Sequence, residues 1–247
     1  MDNAIYVGLS RQIILERELD IAANNLANVD TAGFKFEEMI NNADPTSTPA
    51  PGGGAPTPVT FVADGGVARN FTQGSLIQTG AMLDVAIDGR GFFQINTANG
   101  PRYTRDGRFK TDPSGKIVNQ DGDSVAGSGG DIVLDPKKGI ATISPNGVIS
   151  QNGETVGKLS VVDFDSLSAL SKVGANQYEN ASNLTPQTST TAQMRQGMLE
   201  TSNVEPVRQI TRLIEINRAY DAISTMMDTT AQLSSSAVQR LGAVNPT

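Results

Sequence analysis

Apolar residues recur every three or four positions at both ends of the chain, and this spacing predicts an amphipathic helix at each end. The N-terminal helix is predicted to run from Asp2, a residue suited to cap a helix, to about Asn28. It closes in an asparagine-rich run, which disfavours a helix interior, and Gly33 then supplies the backbone freedom that terminates helices. The apolar stripe of this helix consists of Ile5, Leu15, Leu19, Ala22, Leu26 and Val29.

The C-terminal helix is longer, and its pattern is closer to a heptad repeat. We predict that it runs from Asn203, as the N-cap, to about Leu241, because this start places Pro206, which has no N–H to donate, in the first turn. Its apolar positions follow alternating steps of three and four, which keep one face of a coiled-coil helix toward its partner. They are Leu213, Ile216, Tyr220, Ile223, Met227 and Leu241, with Thr230, Ser234 and Ala237 at the intervening positions of the same face.

The middle of the chain alternates apolar and polar positions over short segments. Leu83, Val85 and Ile87 form one such segment, and the dipeptide Asp88-Gly89 that follows is typical of a turn between strands. Similar turn dipeptides punctuate the chain as far as residue 153. The pattern predicts a β-rich domain of many short strands, so the expected fold class is α+β.

Composition sets the remaining domain boundaries. Residues 36–70 are rich in Pro and Gly and are predicted to be a linker or extended loop, and residues 181–202 are predicted to be a polar return linker. The β-rich outer domain then spans 71–180. Residues 1–35 and 203–247 supply the two long helices, which we expect to pair as a coiled-coil-like helical domain.

The two helices can complete their packing in two ways. A hairpin within one chain buries one stripe on each helix, at about 1.5–3 kcal/mol per large side chain. Ordering the backbone costs about 1–2 kcal/mol per residue, so we favour helices that finish their packing in an assembly and keep the self-sufficient hairpin as the alternative. The expected assembly interface is Leu15, Leu19, Ala22, Leu26, Val29, Leu213, Ile216, Tyr220, Ile223, Met227 and Leu241.

Composition and charge argue against most kinds of chemistry. The chain has no His and no Cys, which removes the commonest general base, thiolate nucleophiles and the usual transition-metal ligands. A net charge of −7 argues against a nucleic-acid surface. The N-terminal apolar run Ile13–Leu15 is bounded by Arg11 and Glu16 and is too short to insert into a membrane.

Carboxylates are the residues on which a catalytic or metal site would have to rest. Most lie beside Gly at turn positions, where Asp is favoured because it hydrogen-bonds to the nearby backbone. The run from Asn119 to Asp123 is similar to the start of a calcium loop, but Gly130 occupies the position that should hold a bidentate Glu. We therefore predict no catalytic residues, no metal site and no cofactor.

Four ordered blocks carry a resemblance to a known family. The first is the run 23–35, with Asn24, Asn25, Leu26, Asn28, Gly33 and Phe34. The second covers 74–94, the third is Tyr103–Phe109, and the fourth is 197–204, with Ser202, Asn203 and Val204. Together they resemble the motifs of the bacterial flagellar rod and hook proteins.

This resemblance implies a structural protein without enzymatic activity. It implies a subunit of the basal-body rod, the hollow drive shaft needed for motility, that self-assembles through its terminal helices in the periplasm. The implied partners are copies of itself, neighbouring rod proteins and the flagellar type III export apparatus. Chain length and the run 202–207 are most similar to a proximal-rod member. A distal-rod member and a non-flagellar fibrous or tail-tube protein remain the alternatives.

Overall fold

The chain divides into two compact units. The computed structural model describes residues 2–47, 58–174 and 176–242, with side chains given except at 2–5, 41–47, 58–65, 238 and 240–242. Met1–Ala27, Glu37–Arg69 and Glu205–Thr247 form one unit, called the helical unit below. Asn28–Phe36 and Asn70–Val204 form the other, called the β unit. Within the described residues, neither helix is long and apolar enough to cross a membrane.

The helical unit is built on two helices, α1 (Asp2–Ala27) and α2 (Pro206–Gly242), which contact each other. Leu15, Ala22 and Ile216 are buried in this contact, and further apolar residues of both stripes pack around them. The 3–4 spacing read from the sequence therefore places these side chains on facing sides of the two helices. At Gly8 the helices approach closely, since an added Cβ would lie 3.0 Å from Met227 Cγ.

Two strands occupy much of the segment that the sequence analysis predicts to be a linker. Strand β1 (Glu37–Ser47) pairs antiparallel with β2 (Pro58–Arg69), and both contact α1. The prediction of a linker over 36–70 is wrong for these two stretches. The Pro and Gly residues are concentrated near 45–58, whereas the run 59–62 (Val-Thr-Phe-Val) is rich in strand-forming residues. Residues 48–57 lie outside the part of the chain that the structure describes.

The start of α2 also differs from the prediction. The helix begins at Pro206, and its first backbone bond runs from Gln209 N–H to the Glu205 carbonyl (3.1 Å). Proline suits this first position because an N–H in the first turn of a helix has no carbonyl within the helix to bond to, so its absence costs nothing there. The prediction that Asn203 caps the helix is wrong, because its side chain bonds to other segments, as described below. The end of α1 at Ala27 agrees with the predicted end within one residue.

The β unit contains the predicted set of many short strands, and a 3-10 turn spans Leu167–Ala169. The terminal helices and these strands confirm the α+β class. The strands are β3 (Leu76–Gln78), β4 (Val85–Asp88), β5 (Phe92–Thr97), β6 (Gly100–Thr104), β7 (Lys110–Thr111), β8 (Ile117–Val118), β9 (Ser124–Gly127), β10 (Gly130–Asp131), β11 (Ala141–Ile143), β12 (Val148–Gln151), β13 (Glu154–Lys158), β14 (Val161–Asp163), β15 (Leu170–Lys172), β16 (Gln177–Asn180), β17 (Gln187–Thr188), β18 (Gln193–Gln196) and β19 (Met198–Glu200).

Antiparallel pairing organises these strands. The main path of the largest sheet is β15-β16-β6-β5-β9-β8-β7, with β14 also paired to β5. A three-stranded sheet has the order β11-β12-β13. Two further pairs, β18–β4 and β19–β3, join the last strands of the unit to its first ones. The segment 181–202, predicted to be a polar linker, therefore contains three strands, because backbone pairing needs few apolar side chains.

The core of the β unit has two clusters on opposite faces of β5. Phe93 and Ile95 belong to an aliphatic cluster, and Phe93 meets Phe109 edge to face with ring centroids 5.0 Å apart. The neighbouring residue, Phe92, belongs to an aromatic cluster in which Tyr103 and other rings pack. Successive strand residues point to opposite faces, so the Phe92-Phe93 pair serves both clusters.

The buried centre of the helix pair generates the first prediction. Ile216 is 2% exposed, so Ile216→Ala should leave a cavity and lower the free energy of unfolding of the helical unit by about 2–5 kcal/mol. Ile214, two residues earlier on the same helix, is 48% exposed, and Ile214→Ala should cost less than about 1 kcal/mol. Urea unfolding followed by the helical circular dichroism signal measures both. Equal losses would mean that α1 and α2 do not pack on this face.

Candidate functional site: motif segments around a buried carboxylate

The motif segments from both ends of the chain meet in the β unit. The N–H of Gly33 donates to the Glu200 carbonyl (2.8 Å), and the N–H of Phe36 donates to Asn203 Oδ1 (2.7 Å). Asn203 Nδ2 in turn donates to the carbonyls of Asn70 (2.8 Å) and Thr72 (3.0 Å). The side chain of Asn203 thereby joins its own segment to two others, at Phe36 and at residues 70–72, which explains why it does not cap α2.

At the centre of this meeting point lies the carboxylate of Glu200. Its Oε1 accepts hydrogen bonds from Lys35 Nζ (2.5 Å) and from the Gly74 N–H (3.0 Å). Its Oε2 accepts a hydrogen bond from Arg105 Nη1 (3.1 Å). The side chains of Lys35 and Glu200 are fully buried, and that of Arg105 is 4% exposed. One carboxylate is therefore shared by two buried cations.

Backbone carbonyls supply further partners for the two cations, although the buried Nε of Arg105 has no hydrogen-bond partner within the part of the chain that the structure describes. Lys35 Nζ also donates to the Thr72 carbonyl (2.8 Å), and Arg105 Nη2 donates to the Gly89 carbonyl (2.8 Å). The Arg105 guanidinium lies 5.4 Å from the centre of the Phe92 ring, a cation–π distance. These contacts replace part of the hydration that the charges lose on burial.

Burial sets the protonation behaviour of the network. Loss of hydration lowers the pKa of Lys35 from its ordinary value of 10.5, and the nearby charge of Arg105 lowers it further, while the charge and hydrogen bond of Glu200 oppose the shift. Burial likewise lowers the pKa of Arg105, and Glu200, Asp163 and Tyr178 oppose that shift. Glu200 is thus the group that most strongly opposes the lowering of the pKa of both residues.

Gly33 is required by the close approach of the backbone at Arg105. Its φ is +68°, in the left-handed region, and an added Cβ would lie 2.5 Å from the Arg105 carbonyl carbon. The neighbouring Phe34 is buried, and Lys172 Nζ lies 4.4 Å from the centre of its ring. Gly33, which the sequence analysis assigns to ending α1, therefore allows the motif segment to pack against the backbone of Arg105 and Asp106, directly after β6.

The other motif residues fall into both units. In the helical unit, the Asn25 side chain pairs with the backbone of Glu37, accepting from its N–H (3.0 Å) and donating to its carbonyl (2.7 Å). In the β unit, Asn28 Oδ1 accepts from the Thr31 hydroxyl (3.1 Å), and Ser202 and Val204 are buried. Leu26 is half-buried and Asn24 is exposed, both on α1.

Lys35, Arg105 and Glu200 are the residues that sequence reasoning missed. Each lies inside one of the four motif blocks, but the sequence alone assigns no role to any of them. The available signal is a charged residue placed directly beside apolar ones, as Lys35 lies between Phe34 and Phe36 and Glu200 follows Leu199. That signal does not identify partners, because 165 positions separate Lys35 from Glu200.

Most of the predicted assembly residues pack against other residues of the same chain. Leu15, Ala22 and Ile216 are buried between α1 and α2, and Leu19, Leu213 and Ile223 pack against them. Met227 lies close to Gly8. Leu26 and Val29 are half-buried, and Val29 belongs to the β unit. Tyr220 is 39% exposed. The side chain of Leu241 lies outside the described residues.

A second set of apolar side chains on the helices remains exposed. On α1 it consists of Tyr6, Leu9 and Ile13, with exposures of 61%, 46% and 57%. On α2 the clearest set follows the same 3–4 spacing from the first turn onward: Val207, Ile210 and Ile214, with exposures of 76%, 47% and 48%. Each helix therefore carries one apolar face toward its partner in the chain and a second one in solvent.

The stretch that is similar to a calcium loop forms a turn closed by its own hydrogen bonds. Asn119 Oδ1 accepts from the N–H groups of Asp121 (3.0 Å) and Asp123 (2.8 Å), and Asp121 Oδ2 accepts from Gln177 Nε2 (3.0 Å). Among the described residues no group of three acidic side chains is placed to hold a metal ion. The observed bonds give these residues a role in the turn.

The shared carboxylate generates a prediction with a pH readout. Glu200→Gln keeps the size of the side chain but leaves two buried cations without an anion, so it should cost about 3–5 kcal/mol at pH 7. Without Glu200 the pKa of Lys35 in the folded protein falls further below its pKa in the unfolded chain. As the pH rises, the folded protein therefore releases this proton at a lower pH than the unfolded chain does. Stability of the variant should therefore rise from pH 7 to 9, as urea unfolding at each pH measures.

The matched control is Glu179→Gln, which removes an exposed carboxylate from β16 of the same unit. Its stability should follow that of the unsubstituted protein at each pH. A Glu200→Gln variant whose loss of stability is the same from pH 7 to 9 would contradict the electrostatic role and leave only a packing role for this side chain.

A pair of glycines tests the backbone approach at Arg105. Gly33 and Gly80 both have left-handed backbones (φ +68° and +75°), but an added Cβ at Gly80 has nothing within 4 Å. Gly80→Ala should cost about 1 kcal/mol from backbone strain alone. Gly33→Ala should cost about 2–4 kcal/mol, because the clash adds to the strain. Equal losses in urea unfolding would rule out the proposed contact.

Comparison with family models covers most of the chain in three parts. Residues 5–35 match the model described as "Flagella basal body rod protein". Residues 86–151 match "Flagellar hook protein FlgE/F/G D1 domain", and residues 195–240 match "Flagellar basal body rod FlgEFG protein C-terminal". The first and last matches include the helices, and all three include motif blocks quoted above.

Curated relatives match over nearly their full lengths. The chain is 52% identical to the flagellar basal-body rod protein FlgF of Caulobacter vibrioides, covering 99% of this chain and 100% of the relative. It is 35% identical to FlgF of Mesorhizobium japonicum, with 98% and 99% covered. The flagellar basal-body rod protein FlgG of Bacillus subtilis is 30% identical, with 94% and 97% covered. The chain therefore belongs to the flagellar basal-body rod protein family.

Proposed function

We propose that this protein is a structural subunit of the flagellar basal-body rod, in its proximal part. The observation that carries the proposal is the match along the whole chain to a flagellar basal-body rod protein FlgF at 52% identity. The relatives are structural proteins, so no catalytic residues, metal or cofactor are part of the proposal. The chemistry of the described residues is consistent with this role, since the buried charges form a structural network.

The proposed mechanism is assembly through the terminal helices. Within one subunit, α1 and α2 pair along a coiled-coil-like seam formed by Leu15, Ala22, Leu213, Ile216 and Ile223. The apolar residues left in solvent on both helices then form the surface that other subunits cover. A helix with two apolar faces is expected in a bundle, where it has neighbours on more than one side.

This mechanism moves the proposed assembly surface away from the positions expected from the heptad pattern. The seam residues already have partners in their own chain, so a charge there would disturb the subunit itself. The inter-subunit surface is carried by Tyr6, Leu9 and Ile13 on α1 and by residues such as Ile210 and Ile214 on α2. The neighbours would be copies of this chain and adjacent rod proteins.

Export through the flagellar type III apparatus and a location in the periplasmic rod complete the proposal. Both rest on membership in the family. A second candidate is a subunit of the distal rod, because a FlgG protein is 30% identical over 94% of this chain. The higher identity to FlgF proteins favours the proximal rod.

Deletion of the gene tests the function directly. We expect the deletion strain to lack flagellar structures beyond the inner part of the basal body and to be non-motile, and the gene supplied in trans should restore both. Electron microscopy of isolated basal bodies and a motility assay measure the outcome. A deletion strain with complete filaments would refute the proposal.

The exposed face of α2 tests the mechanism. Ile210→Asp should lower the free energy of unfolding of the monomer by no more than about 1 kcal/mol, because the residue is 47% exposed and lies outside the buried contact between the helices. In the rod the same carboxylate would be buried without a partner, at a cost of several kcal/mol per subunit. We therefore expect normal monomer stability and blocked rod assembly, measured by thermal unfolding and motility.

The control for this variant is Gln232→Asp, a change at an exposed polar position of the same helix. It should leave both monomer stability and motility unchanged. Normal swimming of the Ile210→Asp strain would show that this face of α2 is not covered in the rod.

A further inference from the structure

The last segment of the β unit lies against its first strands. Residues 193–204, called the closing segment here, contain β18 and β19 and the residues up to Val204. β18 pairs with β4, with Met194 opposite Ile87. β19 pairs with β3, with Leu199 opposite Ile77. These pairings connect positions about a hundred residues apart, so the sheet edges at β3 and β4 stay unpaired until the end of the unit is present.

The closing segment also supplies part of the core. Met194 is 5% exposed and belongs to the aliphatic cluster together with Val85 and Ile87 of β4. Leu199 is 8% exposed and Val204 is 6% exposed. Removing the segment would expose apolar surface on the strands it covers, which is unfavourable in proportion to the area returned to water.

The strongest dependence of the β unit on its closing segment is electrostatic. Lys35 and Arg105 precede Glu200 by 165 and 95 positions in the chain, and the carboxylate of Glu200 contacts both. In a chain that ends before Glu200, folding would bury two cations without this anion. A buried charge without its partner is strongly destabilising, so the earlier segments gain little by folding alone.

We infer that the closing segment controls when the β unit folds: the unit completes its structure only after Glu200 docks between Lys35 and Arg105. A chain that emerges N-terminus first therefore keeps residues 28–36 and 70–192 of the β unit unfolded until nearly the whole unit has been released. This inference concerns folding and stands apart from the proposed rod function.

The alternative is a closing segment that opens locally while the rest of the β unit stays folded. Hydrogen exchange of the intact chain distinguishes the two, because each cooperative unit exchanges through a common opening. The amide of Thr201 donates to the Ser75 carbonyl (2.8 Å) and reports on the closing segment. The amide of Ile117, which donates to the Ile132 carbonyl (3.0 Å), reports on the distant core.

We expect the amides of Thr201 and Ile117 to have equal protection in the unsubstituted protein at pH 7. Glu200→Gln should speed both by the same factor, about a hundredfold or more. The exposed-carboxylate variant Glu179→Gln should leave both rates unchanged. Faster exchange at Thr201 than at Ile117, or a Glu200→Gln effect confined to the closing segment, would overturn the inference. If Glu200→Gln does not fold, the comparison of the two amides in the unsubstituted protein decides the question alone.

Discussion

The β unit depends on one buried carboxylate. Glu200 contacts Lys35 and Arg105 in a site from which water is almost fully excluded, and taking these charges out of water costs several kcal/mol for each ion. The cost is offset only when the carboxylate, both cations and the surrounding backbone carbonyls are all in place. Such a network gives little stability when it is partly formed, so it makes folding of the segments it joins cooperative.

The same network explains why the motifs near the two ends of the chain belong together. The segment 28–36 contributes Gly33 and Lys35, and the segment before α2 contributes Glu200 and Asn203. Both segments thus fold as parts of the β unit, directly next in sequence to the two helices. The helical unit is held together by apolar packing. Helices α1 and α2 bury one apolar stripe against each other and leave a second stripe exposed to solvent. The exposed apolar side chains of the helical unit are the surface that the proposed assembly through the helices would cover.

The sequence predicts features that depend on local patterns. Periodicity places α1 within one residue of its observed end, and turn dipeptides such as Asp88-Gly89 correctly indicate a β-rich middle. Features that depend on distant partners are missed. The window 36–70 is dominated by its Pro and Gly residues, so the strands β1 and β2 at its edges are overlooked. Asn203 is as well suited to capping a helix as to bonding distant backbone, so the sequence does not distinguish the two roles. The partners of Glu200 lie 95 and 165 positions away, where no local pattern identifies them.

A subunit of the rod must be present in isolated basal bodies, and quantitative mass spectrometry of basal bodies from the native organism measures this. If the chain is a rod subunit, its peptides are present at a fixed ratio to those of the other rod proteins in every preparation. Basal bodies with a complete rod and hook that contain no peptides of this protein would contradict this role.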